Sequence, residues 1–84
     1  MKVSEQVNIT PDAVADFGKK GCGDLAIALM QKMKTLQAGQ VLEVRSSDPG
    51  APSDIPAWCR MTKNTLLAGP TGENGMCYYI KKKA

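Results

Sequence analysis

Three cysteines, Cys22, Cys59 and Cys77, carry the strongest intrinsic chemistry in this 84-residue chain. Cys22 stands in a glycine-rich run, Gly18-Lys19-Lys20-Gly21-Cys22-Gly23, just ahead of the clearest helical pattern in the sequence. Free backbone amides and the positive end of a helix dipole stabilise a thiolate at such a place. Lys19 and Lys20 add positive potential there, and Asp24 opposes it. A thiolate so held is a nucleophile and a good acceptor of sulfane sulfur. The competing reading is a thiol that packs the loop, because cysteine is among the most often buried residues.

The other two cysteines read as structure. Cys59 shares a helical face with Ile55 and Thr62, which makes it core filling, and a thiol buried among apolar groups stays protonated and inert. Cys77 sits mid-strand and faces opposite to Met76 and Tyr78. An odd cysteine count argues against a small secreted disulfide scaffold. No CxxC is present, which excludes a zinc ribbon or a thioredoxin motif, and no metal site is expected. The chain has no histidine, so His-based triads, His metal sites and His pH switches are excluded. Gly69 to Gly75 is not a phosphate cradle: it lacks the Lys-Ser/Thr pair and leads into a strand.

Lys81, Lys82 and Lys83 supply the whole net charge of +3, since the remaining residues carry eight basic and eight acidic groups. Three terminal charges without interleaved aromatics read as a solubilising end, so a nucleic-acid partner is disfavoured. No apolar run reaches the length of a signal peptide or a membrane span. The expectation is a soluble, cytoplasmic protein with reduced thiols and no membrane partner.

These residues need elements to position them. Residues 1–11 read as a flexible N-terminus, 12–82 as one domain and 83–84 as a frayed tail. Residues 12–17 alternate as a short strand, with Ala13, Ala15 and Phe17 on one side. Asp24 to Gln37 reads as a helix with an apolar stripe of Leu25, Leu29, Met33 and Leu36, stopped by Gly39. Gln40 to Arg45 reads as a strand with Leu42 and Val44 inward and Glu43 and Arg45 outward. A second helix runs from Pro52 or Ser53 to about Lys63, with Asp48 and Asp54 as candidate caps. Pro56 is placed in its first turn, where it costs no hydrogen bond. Thr65 to Ala68, a hairpin loop over Gly69 to Gly75 with Asn74-Gly75, and Met76 to Lys81 complete the order β-α-β-α-β-β. The fold class is an α+β two-layer sandwich. A mixed four-stranded sheet has its first two strands parallel, its last two antiparallel, and both helices on one face.

Ala38-Gly39-Gln40-Val41-Leu42-Glu43-Val44, then Asp48-Pro49, then Asp54-Ile55-Pro56-Ala57-Trp58-Cys59 resemble the pattern of the TusA (SirA-like) sulfur-carrier family. The resemblance covers residues 12–82. It implies the same sandwich, similar to the C-terminal domain of translation initiation factor three. It also implies a persulfide relay: Cys22 takes sulfane sulfur from a cysteine desulfurase or rhodanese and passes it to an acceptor protein, without a cofactor. Cys59 is carried over as a candidate second thiol, and Gly23 and Asp24 as the supporting helix N-terminus. The family motif Cys-Pro-x-Pro reads Cys22-Gly23-Asp24-Leu25 here, so both prolines are gone and Gly23 gains an N–H. Gly18 is shifted by one position, and Lys20 replaces an apolar residue. An adaptor that keeps the fold without transferring sulfur is the alternative, and an RNA-binding module is a weaker one. The pathway (tRNA thiolation, cofactor synthesis or sulfur oxidation) stays open.

Overall fold

A computed structural model describes residues 9–72 and 75–83, with the backbone but not the side chain of Cys22. The expected flexible segment before residue 9 and the Asn74 half of the hairpin turn lie outside the described residues. The elements are β1 (Ala13–Gly18), α1 (Cys22–Met33), β2 (Val41–Ser46), α2 (Ala51–Thr62), β3 (Thr65–Thr71) and β4 (Cys77–Lys81). They form one four-stranded sheet in the order β1-β2-β4-β3. β1 runs parallel to β2, while β4 is antiparallel to both β2 and β3. This is the expected α+β sandwich.

Alternation along the strands splits the sheet into two faces. Ala15, Leu42, Val44, Tyr78 and Ile80 are buried on one, together with Leu25, Leu29 and Met33 of α1 and Ile55, Trp58 and Cys59 of α2. Both helices therefore cover the same face, and the α1 stripe closes with Leu36. Asp12 fastens the start of the parallel pair: its N–H donates to the Val41 carbonyl, and its carboxylate accepts from the Val41 N–H, both at 2.8 Å.

Several boundaries differ from the sequence reading, each for a local reason. The first helix begins at Cys22 rather than Asp24, because Gly21 takes the extended cap conformation (φ −81°, ψ −174°) and its carbonyl accepts the Leu25 N–H. Asp24 is thus a first-turn acid. The same helix ends at Met33: the Thr35 hydroxyl and the Thr35 and Leu36 N–H groups satisfy the last carbonyls with tighter turns, well before Gln37. The second helix begins at Ala51, so Pro56 lies inside it and leaves the Pro52 carbonyl without its amide partner. No side chain caps this helix. Asp48 instead accepts the Gly50 N–H at 2.9 Å and folds the loop ahead of it. Lys63 ends it in the left-handed region (φ 65°), close to the expected end.

β3 continues through Gly69, Pro70 and Thr71, expected as loop. Two register shifts let it keep pairing with β4 as far as Cys77. Glu43 was placed outward toward solvent. It does face away from the helices, yet it is only 7% exposed. Val14 and Tyr79 stand on either side of it in the neighbouring strands, and Arg45 Nε donates to its Oε2 at 2.8 Å. The lysine end is tied in rather than frayed as far as Lys83. The Lys82 N–H and C=O pair with Gln40 and Gly39, its Nζ donates to the Leu36 carbonyl at 2.6 Å, and the Lys83 N–H donates to Asn64 Oδ1.

Candidate functional site

The loop from β1 to α1 is short and held at its base. The Gly18 N–H donates to Asp16 Oδ1 at 3.0 Å, and Gly18 takes a positive φ of 58°, which glycine adopts without strain. Its carbonyl accepts the Ser47 N–H at 2.8 Å, which ties this loop to the one after β2. Lys20 closes a turn by donating its N–H to the Phe17 carbonyl. Lys19 and Lys20 themselves project as exposed residues. The chain then enters α1 at once.

Cys22 is the first residue of α1 and follows an exposed glycine cap whose lack of a side chain leaves the helix amides uncapped. Leu25 N–H is the first to find a helical acceptor, Gly21 O. The amides of Cys22, Gly23 and Asp24 precede it and have no acceptor within the helix. They point along the helix dipole toward the end where an anion is stabilised. Gly23 and Asp24 are both exposed, and a Cβ added at Gly23 would meet nothing within 4 Å. The turn therefore has open space rather than a wall around its second residue.

Cys59 sits elsewhere. It is 2% exposed in the core, on the inner face of α2, and burial pushes its thiol up to about 11. A thiol held neutral in this way is a poor nucleophile at neutral pH.

Cys77 occupies a third setting that the sequence did not single out. It lies half-buried on the sheet face away from the helices, paired in register with Arg45. A cavity of about 540 Å³ beside it is lined by Asp16, Gly18, Arg45, Ser46 and Ser47. The fold thus joins this cavity to the base of the Cys22 loop through Asp16 and Gly18. Its charges are largely internal: Arg45 is paired with Glu43, whose carboxylate holds the guanidinium above its ordinary pKa. The Glu43 charge and burial also raise Tyr79, with burial the larger cause. The only sequence signal for this cavity was the period-two phase that set Cys77 opposite to Met76 and Tyr78.

Among the described residues, no group of three His, Cys, Asp or Glu side chains is placed to hold a metal ion. Nor does any described helix have the length and apolarity to cross a membrane.

The fold is a small α+β sandwich with a cysteine at the first position of its first helix and no side-chain cap ahead of it. Comparison with known proteins gives its family. The family model described as sulfurtransferase TusA matches residues 20–82. The sulfur carrier protein TusA of Pseudomonas putida (strain GB-1) is 35% identical over 77 residues, covering 92% of this chain and 96% of the relative. That of Pseudomonas savastanoi pv. phaseolicola (strain 1448A / Race 6) is 36% identical over 76 residues, covering 90% of each. The chain belongs to the TusA family, and the relatives it matches are named sulfur carrier proteins.

Proposed function

We propose that Cys22 accepts sulfane sulfur as a persulfide and relays it to the thiol of an acceptor protein. The observation that supports this is the start of α1 at Cys22, on a glycine cap, with three amides free of helical acceptors. In the first step the Cys22 thiolate attacks the outer sulfur of a donor persulfide. The donor S–S bond breaks, the donor leaves as its thiolate, and Cys22 becomes Cys-S-S⁻. In the second step an acceptor thiolate attacks that outer sulfur, and Cys22 is released as thiolate. Atoms and electrons balance between thiols, so no metal or organic cofactor takes part.

The helix N-terminus favours the anion in both states, first as thiolate and then as persulfide. Lys19 and Lys20 add to that field, and Asp24 reduces it. The carrier domain is assigned to residues 12–82 and its place of work to the cytoplasm, where thiols stay reduced. Cysteine desulfurases and rhodaneses are the donor class. Cys59, buried and neutral, is left out of the relay.

Mass spectrometry tests the reading. After incubation with a desulfurase and cysteine, or with a polysulfide, the protein gains one sulfur atom. Cys22→Ser abolishes that gain, whereas Cys59→Ser and Cys77→Ser keep it. A folded wild-type protein that gains no sulfur from either source defeats the relay and leaves a non-transferring adaptor.

A further inference from the structure

The far end of the helical layer carries a second surface. Between the C-terminal ends of α1 and α2 lies an open groove of about 470 Å³. Its apolar part comes from Met30, Trp58 and Met61, and Met61 is 74% exposed. Lys34, Lys63, Lys82 and Lys83 rim it, and no acidic residue lines it. Four cations therefore converge on one apolar groove in a chain whose net charge is +3.

Lysines near helix C-termini complement the dipole, and that alone could explain Lys34 and Lys63. The backbone leaves them little of that task. The last carbonyls of α1 and α2 already accept from the Lys34, Thr35, Lys63 and Asn64 N–H groups and from the Thr35 and Thr62 hydroxyls. Lys82 Nζ takes the Leu36 carbonyl. Among the described residues no carboxylate lies within ion-pair distance of any of the four. Dipole compensation also gives no reason for methionine in solvent between them. Exposed methionine is flexible and polarizable, and it suits a surface that adapts to an apolar partner group.

We propose that this groove docks an acidic amphipathic segment of a partner protein, with an apolar side chain on Met30 and Met61 and carboxylates on the lysine rim. Charge complementarity and the apolar floor select this occupant. RNA fits less well, because Trp58, the one aromatic of the groove, is only 8% exposed and offers no free face for a base. The inference does not rest on the chemistry of Cys22. Failure of docking leaves sulfur loading from polysulfide untouched, and failure of loading leaves docking untouched.

The test is fluorescence anisotropy with the full chain and a labelled helical peptide carrying leucines at i, i+4 and i+7 and glutamates elsewhere. The comparators are the same peptide with glutamine for glutamate, a uridine-rich RNA oligomer and phosphatidylserine vesicles. The acidic peptide binds, and added salt weakens it. The glutamine peptide binds at least about tenfold more weakly. Lys34→Glu with Lys63→Glu costs the acidic peptide about tenfold or more, since each reversal replaces an attraction by a repulsion. Met61→Ala weakens both peptides about threefold or more by removing apolar contact. Arg60→Glu, on an exposed residue outside the groove, changes binding less than twofold. The proposal is overturned if neither peptide binds or if the two peptides bind alike. It is also overturned if Arg60→Glu costs as much as Lys34→Glu with Lys63→Glu, or if the RNA or the vesicles bind more tightly than the peptide through the same lysines.

Discussion

Burial of Cys59 makes the stability of this domain sensitive to alkali. The thiol is raised from 9.0 to about 11 by desolvation, with no charged partner contributing. In the folded protein it therefore keeps its proton to higher pH than in the unfolded chain. Above pH 9 the unfolded chain binds fewer protons than the folded one, and stability falls as pH rises, levelling near pH 11 once the folded thiol ionises too. Each tenfold change in acidity is worth about 1.4 kcal/mol, so the ceiling for Cys59 is about 3 kcal/mol. Tyr78 and Tyr79 are raised as well, mainly by burial, and push in the same direction. Cys59→Ala separates the contributions: it removes the thiol, leaves the tyrosines and costs a roughly constant packing penalty at every pH. Urea unfolding at pH 8, 9, 10 and 11 measures both proteins. The gap between them should narrow by about 1–3 kcal/mol from pH 8 to 11. Parallel curves would refute the reasoning, because a thiol that ionises freely in the folded state adds no pH dependence.

Three further outcomes follow from named contacts. Gly23→Ala keeps its N–H and meets nothing within 4 Å, so it should load sulfur on Cys22 at the wild-type rate, whereas Gly23→Pro removes that N–H and should load more slowly. A proline variant that matches wild type removes the amide from the account. Lys82→Met loses the bond from Nζ to the Leu36 carbonyl and should lower stability by about 1 kcal/mol, while Lys81→Met, at an exposed position, should leave the melting temperature unchanged. Tyr78 is fully buried and its hydroxyl has no hydrogen-bond partner among the described residues, so Tyr78→Phe should be neutral or stabilising by up to about 1 kcal/mol in urea melts. A clear loss of stability would mean that the hydroxyl is satisfied.

The legible parts of the fold are those where a period repeats. Leu25, Leu29, Met33 and Leu36 specify one helix face, and Leu42 with Val44 specifies the inner face of β2. The illegible parts depend on groups distant in sequence or on backbone alone. A glycine cap has no side chain to announce itself, which is why the helix start at Cys22 was read two residues late. Gly69-Pro70 reads as a turn by propensity, and β3 carries on through it because Ala68 and Thr71 on either side pair with Tyr79 and Cys77 of β4. Glu43 is buried by Val14, Tyr79 and Arg45, two of which come from other strands. Lys82 is captured by a carbonyl 46 positions away. The place of Cys22 beside the start of α1 was legible because glycine-cysteine-glycine at the head of an amphipathic pattern is a local signal. The methionine and lysine groove was not, because it gathers residues from both helices, the turn after α2 and the chain end.

The two surfaces lie at opposite ends of α1. Cys22 opens the helix, while Met30 and Lys34 stand at its other end. Twelve helical residues at about 1.5 Å each put these ends roughly 18 Å apart. A partner that engaged only the reactive end would meet a thin contact, since the loop there is short and built largely of glycine and lysine. A partner that also reached the groove would gain apolar burial and charge complementarity without touching the sulfur. Affinity would then be set at one end and chemistry at the other. Such a division suits a carrier that must release each partner after one transfer. Under the proposed relay, the persulfide would sit on the first turn of α1, where donor and acceptor would come in turn, and the proposed docking end would decide which protein arrives.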